Sequence, residues 1–219
     1  MKINETTIFA VGETRLSHNQ PFKAETMEIC VFCSANDRLD PKYFSLTEEF
    51  GRWASEHGHT IVFGGTSSGL MECVAKAAHE AGSVTVGVVP SKVEAGGHVS
   101  DHIDVYIPCD DLSDRKQLMM ARSDAFVALP GGIGTLDEIF SVAASAAIGY
   151  HSKPLVLYSM DGFWAPLASL LDSLADKGVI RGQWRQHIAI VSSLDEVAKV
   201  LGEKQSRPRF PTGGSCDSR

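Results

Sequence analysis

The stretch Ala125-Phe126-Val127-Ala128-Leu129-Pro130-Gly131-Gly132-Ile133-Gly134-Thr135-Leu136-Asp137-Glu138 decides how the rest of the chain is read. An unbroken apolar run, Ala125 to Leu129, stops at Pro130, and a glycine-rich turn leads into an amphipathic segment. A short run with no polar alternation predicts a strand buried on both faces, as in a parallel sheet. Thr135 stands where an N-cap belongs, with Glu138 three residues on at the capping-box position. A strand, a glycine turn and a helix start make an anion site, because the first N–H groups of a helix have no internal partner. The same residues also fit a tight, well-capped turn in which Glu138 serves the cap and no chemistry.

Working outward, similar apolar runs recur at Ile29–Cys33, Thr60–Phe63, Val84–Val89, Val105–Pro108, Leu155–Tyr158 and Ile188–Val191. Between them the periodicity predicts helices over Pro41–His57, Leu70–Ala81, Leu112–Arg122, Thr135–Ile148, Phe163–Lys177 and Leu194–Leu201. This alternation predicts an α/β fold, a single Rossmann-like doubly wound parallel sheet with helices on both faces. Ligands of such sheets bind beyond the carboxyl ends of the strands, where the strand order reverses. Residues 1–25 carry no clear pattern, residues 26–204 make the domain, and 205–219 read as a disordered tail.

A second glycine turn, Gly64-Gly65-Thr66-Ser67-Ser68-Gly69, precedes the helix at Leu70. It has neither the GxGxxG spacing nor the lysine of a phosphate-binding P-loop, so it reads equally as an anion site or as a plain strand-to-helix turn. Asp114-Arg115-Lys116 opens the helix that leads into the Ala125 strand. Two adjacent cations usually mark a solvated face. Here the predicted topology carries them to the glycine end of the sheet.

The net charge of −7 argues against nucleic-acid polymers and anionic membranes as partners, since phosphate backbones need a basic footprint. No run approaches the ~20 apolar residues of a membrane span, and no secretory leader is visible, so the expected location is the cytoplasm. The five cysteines, Cys30, Cys33, Cys73, Cys109 and Cys216, are scattered and odd in number, which suits a reducing compartment. Cys30 and Cys33 have CxxC spacing, but within a strand they point to opposite faces, which speaks against a redox pair.

On these residues the chain resembles the Lonely-Guy family, Rossmann-like proteins also labelled possible lysine decarboxylases. The family signature PGGxGTxxE is matched from Pro130 to Glu138, and an upstream Arg-Lys pair by Arg115 and Lys116. Further matches are Cys30-Val31-Phe32-Cys33-Ser34, Gly69–Met71 and His151-Ser152-Lys153-Pro154, within roughly Met27 to Leu201. The resemblance implies hydrolysis of a nucleoside 5′-monophosphate to free base and ribose 5-phosphate, without metal or cofactor. It implies Glu138 as the catalytic carboxylate and Arg115 as its cationic partner. Gly131, Gly132, Ile133, Gly134 and Thr135 would hold the phosphate, with Lys116, Asp137, Ser34 and Gly65 beside the substrate. Members are commonly dimers, which makes Val142–Ile148 an interface candidate, although that helix packs equally well on the sheet.

The chain departs from the pattern in three places. Thr66 and Glu72 replace glycines of the first loop. Ala144, Ser145 and Ala147 stand where the family often has a Thr-Trp pair and a Gln that shape the base or prenyl end. A loop acid between Val89 and Asp101 has only Glu94 as a counterpart. The substrate expected is an AMP-like purine nucleotide or a cytokinin nucleotide, with a pyrimidine nucleotide such as CMP as the alternative. Two rival readings are a nucleotide sensor without turnover and a decarboxylase. The latter would need a pyridoxal phosphate lysine, for which neither Lys116 nor Lys153 lies in a suggestive context.

Overall fold

The computed structural model describes residues 26–202; the N-terminal extension, the tail and Cys216 lie outside the described residues. In chain order the elements are β1 (Glu28–Phe32), α1 (Pro41–Glu56), β2 (Thr60–Phe63), α2 (Gly69–Glu80), β3 (Thr85–Pro90), α3 (Ser91–Ala95) and β4 (Val105–Cys109). Then follow α4 (Leu112–Arg122), β5 (Ala125–Ala128), α5 (Ile133–Ala147), β6 (Leu155–Tyr158), α6 (Ala165–Asp176), β7 (Ala189–Val191) and α7 (Leu194–Gly202). The strands form one sheet in the order β4-β3-β2-β1-β5-β6-β7, every neighbouring pair parallel.

Alternation along β1 divides the core. Ile29, Val31 and Cys33 face the side covered by α1, α2 and α7, through Phe50, Trp53, Val74 and Val197. Cys30 and Phe32 face the other side, with Met119 of α4, Ile139 and Val142 of α5, and Leu167 of α6. The two cysteines therefore lie on opposite faces, and burial holds both thiols well above their usual pKa. Cys30, Cys33, Cys73 and Cys109 are all free.

Three expectations are corrected. Helix α5 begins at Ile133 with Gly132 as N-cap, so Thr135 lies inside the first turn and Glu138 is not a capping-box residue. The reason is steric: Thr135 is buried against Gly131, where a β-carbon would sit 2.1 Å from the threonine hydroxyl. Second, β4 is not buried on both faces: it is a sheet edge with Val105 and Tyr106 exposed, and Pro108 stands opposite Val89. Third, the loop after β3 holds the five-residue helix α3. No helix among the described residues is long and apolar enough to cross a membrane.

Candidate active site

Strand order reverses between β1 and β5, so their carboxyl ends open the crevice where a doubly wound sheet binds ligands. The chain closes the floor of this crevice with backbone. Ser34 N–H donates to the Pro130 carbonyl at 3.1 Å, and the Ser34 carbonyl accepts from Leu70 N–H at 2.8 Å. Ser34 thus ties together the turns after β1, β2 and β5, and its hydroxyl accepts from Asn36 N–H.

The turn after β5 is open. Gly132, Ile133 and Gly134 are exposed, Ile133 at 84%. Among the described residues no carbonyl or carboxylate takes the N–H groups of Ile133, Gly134 or Thr135. These first-turn amides carry the positive end of the helix dipole.

The turn after β2 is occupied. Gly69 N–H donates to the Asp37 carboxylate at 2.7 Å and Leu70 N–H to Ser34, so the protein itself fills the start of α2. Gly65 is buried, its carbonyl bonded by Ser100 N–H, which makes it part of the scaffold. Glu72, the extra carboxylate at this helix start, pairs with His102 at 2.7 Å. Glu94 is exposed on α3, beside Tyr106.

Behind the open turn lies the charged centre. Arg115 near the start of α4 reaches Glu138 on α5, Nη2 to Oε1 at 2.9 Å, with the two side chains 12% and 3% exposed. The backbone of Gly64 lies against the guanidinium: a β-carbon there would sit 3.1 Å from Nη1. Burial pushes the Glu138 carboxyl up to about 7, with Asp137 adding to the rise and Arg115 and Lys116 opposing it. A carboxyl poised there exchanges a proton near neutral pH. The Arg115 Nε–H is buried without an acceptor among the described residues, a donor that a ligand atom would satisfy. Beside this pair Lys116 bonds Asp137 at 2.7 Å.

The structure therefore brings together Arg115, Lys116, Asp137, Glu138 and the Gly131–Thr135 turn, and leaves Gly65 in the packing behind them. The Asp37 plug carried no sequence signal, since it comes from a loop without periodicity. Among the described residues no cluster of His, Cys, Asp or Glu has the makings of a metal site. Two hollows lie elsewhere, one between α1 and α2 at Glu48, Arg52 and Lys76, the other at Ser159, Ile190 and Glu196. Neither contains the buried ion pair, so the site is placed by strand ends and charge.

Residues 71–201 match the model of the family described as "Possible lysine decarboxylase". The chain is 33% identical over 188 residues to the cytokinin riboside 5′-monophosphate phosphoribohydrolase LOG7 of Arabidopsis thaliana, covering 86% of each chain. It is 34% identical over 175 residues to the probable enzyme of the same name, LOGL2, of Oryza sativa subsp. japonica, covering 80% of this chain and 72% of that one. Among solved structures, the Moco carrier protein from Chlamydomonas reinhardtii is similar with TM-score 0.61 and 25% identity, over 82% of this chain and 99% of that one. The molybdenum cofactor binding protein from Rippkaea orientalis shares the fold, with TM-score 0.60 and 22% identity over 80% and 94% of the two chains.

Proposed function

The chain belongs to the Lonely-Guy family of possible lysine decarboxylases, and from that membership we propose that it hydrolyses the N-glycosidic bond of a nucleoside 5′-monophosphate. Water and the nucleotide are consumed, and free base and ribose 5-phosphate are released. The observation that carries the reading is a buried carboxyl, Glu138, poised near neutral pH beside an open helix start.

The amides of Ile133, Gly134 and Thr135 take the 5′-phosphate, whose charge matches the helix terminus. Cleavage builds positive charge on the ribose as the base leaves, and the Glu138 carboxylate stabilises that charge and draws the proton from the attacking water. Arg115 holds the carboxylate in place and offers its unpaired Nε–H to the departing base or the ribose, and the proton that Glu138 takes from water is passed on to the released base, which regenerates the carboxylate. Arginine does not give up its proton readily, so its part is orientation and charge and not acid catalysis.

The preferred substrate in this reading is an AMP-like or cytokinin nucleotide, because the closely similar relatives are named for cytokinin riboside monophosphates. The exposed Phe140, Ile148 and Tyr150, at 40%, 71% and 81%, give α5 and its end an apolar stripe suited to a second copy, so the working unit is a homodimer. Free cysteines suit a cytoplasmic location.

The test is base release from AMP, isopentenyladenosine monophosphate, GMP, CMP and UMP, followed by chromatography beside Glu138→Gln. The expected result is release from at least one substrate and a loss of ~100-fold or more in the variant. Because the ionised carboxylate is the working form, kcat falls as pH drops through about 7. Tight binding of every monophosphate with no free base would put a carrier or sensor in place of the hydrolase.

A further inference from the structure

Two ion pairs run side by side between α4 and α5. Arg115–Glu138 is buried, and Lys116–Asp137 lies at the rim, with Asp137 57% exposed. Each helix supplies successive residues to the two pairs, and successive helical side chains point about 100° apart. Whatever fixes the outer pair therefore fixes the rotation and height of the inner one.

The Lys116 ammonium is fully engaged. It has three N–H donors, and its Nζ lies 2.9 Å from Asp137 Oδ1, 2.7 Å from Asp137 Oδ2 and 3.2 Å from Ser141 Oγ. Ser141 Oγ spends its own proton on the Asp137 carbonyl at 2.7 Å, which leaves its lone pairs for the lysine. Were Lys116 to swing onto a phosphate, it would strand the Asp137 carboxylate one turn from an incoming dianion.

Helix α4 also needs such a tie. Its apolar anchor is Met119, with Leu118 and Met120 half-buried beside it, all about a turn beyond Arg115. The start of the helix is held by polar contacts instead, with Asp111 accepting from Ser113 N–H and Asp114 N–H and the two ion pairs bridging to α5.

We propose that Lys116, Asp137 and Ser141 form a strut that locks the start of α4 to α5 and thereby sets the Arg115–Glu138 contact, and that Lys116 is a positioning residue and not a ligand of the substrate phosphate. The catalytic consequence rests on the hydrolase reading; the geometry does not.

The experiment compares Lys116→Met, Asp137→Asn and the charge-swapped pair Lys116→Asp/Asp137→Lys in two measurements. One is the rate of base release; the other is calorimetric titration with ribose 5-phosphate, a probe independent of which base is preferred. A strut predicts that both single variants lose ~10-fold or more in kcat, as small misplacements of reacting groups do, while KM moves by less than about threefold. The swapped pair recovers most of that loss, and the affinity for ribose 5-phosphate stays within about threefold throughout. A phosphate ligand predicts the reverse: Lys116→Met weakens ribose 5-phosphate ~10-fold or more, Asp137→Asn tightens it by releasing the lysine, and the swap restores nothing. That result overturns the proposal. Ser141→Ala keeps both charges and serves where a charge variant melts early, with a smaller loss in kcat alone. If the wild-type protein releases no base, the hydrolase reading fails, and the ribose 5-phosphate titration still decides the role of Lys116.

Discussion

Strands β2 and β5 flank β1, and each ends in a glycine turn that opens a helix, yet the two turns have opposite fates. After β2, the first amides of α2 are taken by Asp37 and Ser34, and Glu72 on the first turn is paired with His102. After β5, the first amides of α5 have no partner among the described residues. One turn has become scaffold, and its Gly64 backs the Arg115 guanidinium. The other has stayed open. A helix start is only a latent anion site; what the neighbouring loop offers it decides whether it binds anything from outside.

This contrast can be attacked from both sides. The largest effect belongs to Gly69→Ala. Gly69 has φ +59, and a β-carbon would sit 2.5–2.6 Å from the backbone of Ser34, Ala35 and Asn36. Left-handed strain and the clash together should cost about 3 kcal/mol or more in denaturant unfolding. A normal midpoint would show that the scaffold turn is looser than described. Gly134→Ala should behave oppositely. A β-carbon at this exposed first-turn position meets no atom within 4 Å, so stability should hold or rise by up to about 1 kcal/mol. Ribose 5-phosphate affinity should nevertheless fall ~10-fold as the methyl enters the anion's space, a trade of function for stability. Unchanged affinity would remove the turn from the binding site. The smallest effect is that of Asp37→Ala, which unplugs α2. Loss of the cap should cost about 1 kcal/mol, and sulfate should restore part of it by taking the vacated Gly69 amide. Indifference to sulfate would mean that the two turns differ in shape as well as in occupancy.

Most of the fold was legible because a parallel sheet writes itself in unbroken apolar runs. The bounds of β2 and β6 agree with the runs Thr60–Phe63 and Leu155–Tyr158. The exposure of β4 was not legible, since an apolar run does not reveal how many neighbours its strand has. Thr135 misled for a related reason. Threonine before a helical pattern reads as a cap, and only the contact with Gly131 shows that the cap lies three residues earlier, at Gly132. In the site, the Arg115–Glu138 meeting followed from the resemblance, and topology makes it possible by bringing both helix starts to one end of the sheet. The Lys116–Asp137 pair and the Asp37 plug depend on side-chain directions across 21 and 32 residues of chain, which no local pattern encodes.

The two ends of the sheet set one more property. Unpaired strand edges are where β-rich proteins ordinarily stick to one another, each edge acting as a template for the next chain. Among the described residues one edge, β4, carries Pro108, which has no N–H to offer, and the other, β7, is three residues long. Neither makes a good template for aggregation. Edge-to-edge growth between copies is thereby discouraged at both ends of the sheet.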